Sequence, residues 1–142
     1  MTESKMLHIL LVDDDDVDVM NVQRAFKKNN IINPLYVASN GLEALDLLRG
    51  NGVQPIPSER RLILLDLNMP KMNGLEFLRE IRADPELHLL SVIVLTTSDD
   101  ERDKVEAYNL NVAGYILKPV TFSAFVETMA TLNKYWAINE LP

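Results

Sequence analysis

The sequence predicts an α/β fold: a doubly wound, five-stranded parallel sheet with helices on both faces. Three observations carry that expectation. Short apolar runs alternate with segments of helical period along the chain. Cap-like tetrads stand where several of those helical segments begin. The length of 142 residues suits one domain around a single sheet. Strands alternating with helices imply parallel neighbours, right-handed crossovers and a sheet covered on both sides.

The elements follow in order. Residues 7–12 read as a buried strand, and residues 16–29 as a helix, with Val17, Met20, Val22, Ala25 and Phe26 close to a helical period. Residues 35–38 form a short second strand. Asn40-Gly41-Leu42-Glu43 then opens a helix that Gly50 closes. The connection from Gly50 to Arg61, with Pro55 and Pro57, is long for a class in which about 2–6 residues suffice. It is a partner surface or a tolerated insertion. Residues 62–65 are the third strand. Asn73-Gly74-Leu75-Glu76 repeats the cap pattern ahead of Phe77, Leu78 and Ile81. Residues 92–95 are the fourth strand, and Ser98-Asp99-Asp100-Glu101 caps a short polar helix to about Tyr108. Residues 115–117 are the fifth strand. Thr121 begins the last helix, whose apolar face is Phe122, Phe125, Val126, Met129, Leu132 and Trp136.

Composition excludes several classes. A net charge of −7, with Arg60-Arg61 the only basic pair, argues against nucleic acid as a direct partner. No apolar run is long enough to cross a bilayer, and MTESKMLHI lacks a leader pattern. With no cysteine, disulfides, thiolate chemistry and Cys-based metal sites are excluded, which fits a cytoplasmic location.

The chemistry collects at strand ends. Strand one ends in Asp13-Asp14, strand three in Asp66, strand four in Thr96 and strand five in Lys118-Pro119. In an open parallel sheet the carboxyl ends share one edge, where ligands bind. Clustered carboxylates repel one another and need a cation; all-oxygen ligands beside phosphate suit Mg²⁺. A carboxylate can attack phosphorus to give an acyl phosphate. A metal neutralises the transferring group, Lys118 can hold another phosphoryl oxygen, and Thr96 can donate to a third.

LLVDDDD, LLDLNMPKMNG, VIVLTTS and AGYILKP resemble, in order and spacing, the four signature blocks of response regulator receiver domains. The resemblance runs from about Leu7 into the last helix. It implies a flavodoxin-like sheet of strand order 2-1-3-4-5, and a single receiver domain over residues 1–142 with no output domain. Asp13 and Asp14 would be the acidic metal pair and Asp66 the phosphoacceptor. Asn68 would lend its backbone carbonyl to Mg²⁺. Thr96 would be the switch hydroxyl, Tyr115 the switch aromatic and Lys118 the phosphate-binding lysine, with the Lys118-Pro119 bond cis. The long connection, the VLTTS block and the C-terminal YW…LP ending look most like the small regulators of phytochrome-type histidine kinases. The expected function is therefore a stand-alone response regulator. It takes its phosphoryl group from a sensor histidine kinase and signals to a downstream protein target. It is not an enzyme, although it assists its own phosphorylation and dephosphorylation.

Other readings stand beside this one. A magnesium-dependent aspartyl-phosphate phosphatase would carry its nucleophile at the first strand end, not the third. A pseudo-receiver would lack the acceptor or the metal acids. Asp14, Asp16 and Asp18 mimic calcium-loop spacing, but Val19 and Ala25 stand where that loop needs glycine and glutamate. Any of these residues alone is more simply a helix-start acid, a strand threonine or a solvated lysine; together they are a site. His8 and His88 lie off the converging edge. A homodimer is expected on the fourth and fifth strand–helix face, with Tyr135, Trp136, Ile138 and Leu141 contributing. The simpler reading of Trp136 is that it covers this chain's own core.

Overall fold

A computed structural model describes residues 6–142. Residues 1–5, part of the stretch inspected for a leader pattern, lie outside them. The strands are β1 (His8–Val12), β2 (Leu35–Ala38), β3 (Arg61–Leu65), β4 (Ser91–Thr96) and β5 (Gly114–Leu117). The helices are α1 (Asp16–Lys28), α2 (Gly41–Arg49), α3 (Gly74–Ala83), α4 (Glu101–Asn109) and α5 (Phe122–Ile138). The sheet is parallel throughout, in the order β2-β1-β3-β4-β5.

Strand periodicity divides the core in two. Leu10, Val12, Ile63, Leu65, Val92 and Val94 face α2, α3 and Ala107 of α4. Ile9, Leu11, Leu62, Leu64, Ile93 and Leu95 face α1 and α5. Every residue of β3 is buried, because that strand is central and covered on both faces. Trp136 settles into the second layer: it is 2% exposed, lies with its ring centroid 6.0 Å from that of Phe26, and donates its indole N–H to Asn133. The core reading of this residue therefore holds within the chain.

Local chemistry sets the helix ends. Asn40 and Asn73 accept from the amides of Glu43 and Glu76, and the Asn73 box is reciprocal. Gly50 ends α2 at φ 76°, a left-handed conformation that glycine takes at little cost. The cap of α4 corrects the sequence reading. Asp100, not Ser98, is the N-cap; the Ser98 hydroxyl instead donates to Asp103, which leaves the amide of Arg102 to Asp100. The Lys118-Pro119 bond is another correction, since no cis bond occurs among the described residues. Trans is the lower-energy isomer of an X–Pro bond by about 0.5–1 kcal/mol, and Lys118 reaches the acids from it.

The long connection before β3 is ordered by a buried cation. Arg61 donates to the carbonyls of Pro57, Leu48 and Ile56, so its guanidinium ties the insertion to the end of α2. Arg60, beside it, donates its amide to the Pro142 carbonyl and pairs with Glu140.

Trp136→Ala should cost about 3–5 kcal/mol in urea-induced unfolding, the range for a large buried aromatic. A loss below about 1 kcal/mol would show that the ring is not core.

Candidate functional site

Sheet register builds the site before any side chain is considered. Val12 pairs with Leu65, so the next residues, Asp13 and Asp66, leave the sheet side by side. The amide of Asp66 donates to the Val12 carbonyl, and that of Asp13 to Ala38. Thr96 is the last residue of β4, and its carbonyl accepts from the amide of Lys118 just beyond β5. The parallel edge thus fixes Asp13, Asp66, Thr96 and Lys118 through backbone bonds.

The side chains then converge. Asp13 is 3% exposed, Asp66 4% and Thr96 0%. Thr96 Oγ1 donates to Asp66 Oδ1 at 2.8 Å, and Lys118 Nζ donates to Asp66 Oδ2 at 3.0 Å. The same ammonium lies 2.9 Å from Asp13 Oδ2 and 2.8 Å from Asp18 Oδ2. The Asn68 amide lies 3.4 Å from Asp66 Oδ1, so that peptide lies against the carboxylate. Asp13, Asp14 and Asp66 each offer an oxygen, and the three oxygens lie within 4.8 Å of one another. Asp14 is exposed, which leaves one open side. An all-carboxylate set with an open side fits a hard divalent cation that keeps several waters.

Burial and charge pull the ionisations in defined directions. Desolvation pushes the Asp13 carboxyl up to about 6, against the lowering effects of the Asp15 amide and Lys118. Burial alone would depress the Lys118 ammonium. Its bonds to Asp18, Asp13 and Asp66 outweigh that, and the net direction is up.

Tyr115 stands apart from the acids. Its hydroxyl donates to the Ser98 carbonyl at 2.9 Å, in the loop that follows Thr96. The Ser98 amide in turn donates to Thr96 Oγ1 at 3.2 Å, so one residue, Ser98, connects the threonine hydroxyl to the tyrosine. His8 bonds to the Tyr36 hydroxyl at the opposite end of β1, and His88 belongs to the α3–β4 connection, so neither joins the site.

Two participants were missed from the sequence. Asp18 falls in the first turn of α1, just after the strand end that carries Asp13 and Asp14, and this nearness was a readable signal. Gly74 was read only as part of a cap. A Cβ there would sit 2.4 Å from the Asp66 carbonyl oxygen and 2.7 Å from Leu67 Cα. The missing side chain is what lets the first turn of α3 close against the loop carrying Asp66.

Known proteins share this fold. A family model described as the response regulator receiver domain matches residues 9–130. The response regulator Rcp1 of Synechocystis sp. is 36% identical over 128 residues, 90% of this chain and 87% of its own. The crystal structure of the phosphorylated cyanobacterial phytochrome response regulator RcpA superposes with a TM-score of 0.84 at 33% identity, covering 97% of this chain and 99% of that one. The Mn(2+)-bound form of Rcp1 gives 0.83 at 35%, covering 96% and 99%.

Metal binding should follow the ionisation of Asp13. Its folded value of about 6 lies above the ordinary 3.8, so the folded chain holds this proton more tightly than the unfolded chain does. Without metal, the stabilising contribution of the protonated form should be lost as pH rises from 3.8 through about 6. The melting shift produced by Mg²⁺ should run the other way, shrinking as pH falls below about 6 because cation and proton compete. Melts with and without Mg²⁺ from pH 5 to 8 test this; a shift of constant size across that range contradicts it.

Proposed function

The chain belongs to the response regulator receiver domain family, and on that premise we propose how its phosphoacceptor switch works. Asp66 is the acceptor. The observation that carries this is its setting: a buried carboxylate just past the end of the central strand, one oxygen held by Thr96 and the other by Lys118. The donor is a sensor histidine kinase, of the phytochrome type by likeness to RcpA, which is named a cyanobacterial phytochrome response regulator. As the phosphoryl group passes from the kinase phosphohistidine, the P–N bond breaks and the imidazole leaves. An Asp66 oxygen forms the new P–O bond.

Mg²⁺, held by Asp13, Asp14, Asp66 and the Asn68 backbone carbonyl, would neutralise charge on the transferring group. The chain's own residues do the rest. Burial excludes bulk water from Asp66. Lys118 balances charge that the phosphoryl group brings. The Thr96 hydroxyl, already aimed at Asp66, turns to a phosphoryl oxygen and draws the Ser98 amide with it. Tyr115, bonded to the Ser98 carbonyl, follows that loop. The domain thereby shifts between two arrangements of the β4-α4-β5-α5 face. Hydrolysis, which the same residues assist, resets it.

Exposed Val105, Tyr108 and Leu117 support an output through protein contact on that face, with a downstream target or a second copy in a homodimer. We place the chain in the cytoplasm as a stand-alone regulator. Among the described residues no helix is long and apolar enough to cross a membrane. The phosphatase alternative is not favoured, because the carboxylate that both Thr96 and Lys118 hold follows β3 rather than β1.

Asp66→Asn keeps the shape and removes the nucleophile. Incubation with a phosphorylated kinase or with phosphoramidate should label wild type and leave Asp66→Asn unlabelled; equal acyl-phosphate labelling of both refutes the assignment. Thr96→Ala should still be labelled yet lose the phosphorylation-dependent change at Tyr115, read by NMR of the ring. Retention of that change would break the proposed coupling.

A further inference from the structure

Lys118 has no spare proton to give. An ammonium has three N–H donors and no acceptor. Three carboxylate oxygens take them here, from Asp13 at 2.9 Å, Asp18 at 2.8 Å and Asp66 at 3.0 Å. To hold an arriving phosphoryl oxygen, the lysine must release one of these partners. The three do not stand equally. The side chains of Asp13 and Asp66 are 2% and 5% exposed, and both belong to the acid set that can hold a cation. Asp18 is 21% exposed, on the first turn of α1, and is not part of that set. Its carboxylate can regain water when the lysine leaves, whereas Asp13 and Asp66 are buried where water does not reach them.

We propose that Asp18 is a positioning residue that parks Lys118 in the unphosphorylated chain and competes with the phosphoryl group for it. The inference rests on the phosphoacceptor reading and adds a control to that site. Asp18 slows loading in two ways. Its bond to the ammonium must open before Lys118 can turn to the phosphoryl oxygen. Its negative charge, one ammonium away from Asp66, also opposes a dianionic phosphoryl group. Asp18 thus sets a threshold on phosphorylation without touching phosphorus itself.

The test uses the full chain and phosphoramidate at saturating Mg²⁺. Asp66 forms the P–O bond, the P–N bond breaks, and ammonia leaves after its nitrogen takes a proton from solvent. The rate of acyl-phosphate formation is followed by intact mass. Asp18→Asn keeps the size and an acceptor oxygen but removes the charge. It should load about tenfold faster than wild type, the effect of removing one charge at roughly 6 Å in a dielectric between protein and water. Asp18→Glu, which restores the charge, should return the rate toward the wild-type value. The ammonium ¹⁵N signal of Lys118 should shift in Asp18→Asn, a change that a purely scaffolding aspartate would not produce. Equal or slower loading of Asp18→Asn, with wild type normally labelled on Asp66, overturns this inference alone. Absence of label on wild type overturns the phosphoacceptor reading and this inference with it.

Discussion

One buried ammonium holds this edge of the sheet together. Asp13, Asp18 and Asp66 all bond to Lys118 Nζ, and Asp14 stands within ligand distance of two of them. Carboxylates packed this closely repel one another, and the site lies in a chain that is already net negative. A parallel sheet tolerates the cluster because its strands are fixed by backbone bonds and by an apolar layer on each face. The result is a site that is rigid in position and short of positive charge. A divalent cation and a new set of lysine contacts can relieve that shortage. The chemistry is a consequence of the charge balance as much as of the acceptor itself.

The same edge separates firm elements from loose ones. The β3 core and α5 bury large side chains such as Leu64, Phe125 and Trp136. Helix α4 buries only Ala107 among its nine residues, so little packing resists its displacement. Its first turn is connected to the site through Ser98. That residue donates its amide to Thr96, its hydroxyl to Asp103 on α4, and offers its carbonyl to Tyr115. A change in the direction of the Thr96 hydroxyl therefore reaches one poorly packed helix by a chain of hydrogen bonds, while the sheet stays where it is.

The legible part of the molecule was the part dictated by period and by strand ends. The five strands, the five helices and the convergence of Asp13, Asp66, Thr96 and Lys118 follow from local patterns and one topological rule. What sequence did not reveal depends on side-chain choices between competing partners. Ser98 looked like a cap, yet its hydroxyl found a carboxylate on α4 and the cap fell to Asp100. Asp18 looked like an acid favoured by the helix dipole, and only the fold brings Lys118, a hundred residues later, to it. Arg61 was half of a basic pair, but it is buried and spends its donors on three carbonyls. Gly74 carries a close approach that no one-dimensional pattern shows.

The two ends of α4 are held by interactions of different strength, and this gives its displacement a direction. At the C-terminal end, Arg82 of α3 donates to the carbonyls of Leu110 and Asn111, and also to those of His88 and Leu90. One guanidinium satisfies several orphan carbonyls there, and moving that end would leave them unpaired in a half-buried position. Arg79 adds an ion pair with Glu106, but both side chains are exposed, so solvent screens it and it contributes little. At the N-terminal end, the Asp100 cap faces solvent and the Ser98 hydroxyl is half-buried, so water can replace the cap at small cost. A pull from the Thr96 loop is therefore resisted at the Arg82 end and yielded to at the Asp100 end. On the proposed switch, the helix would tilt about its C-terminus rather than translate, carrying the exposed Val105 with it. A small rotation of one hydroxyl in the acid pocket would thus become a change in apolar surface on the outer face.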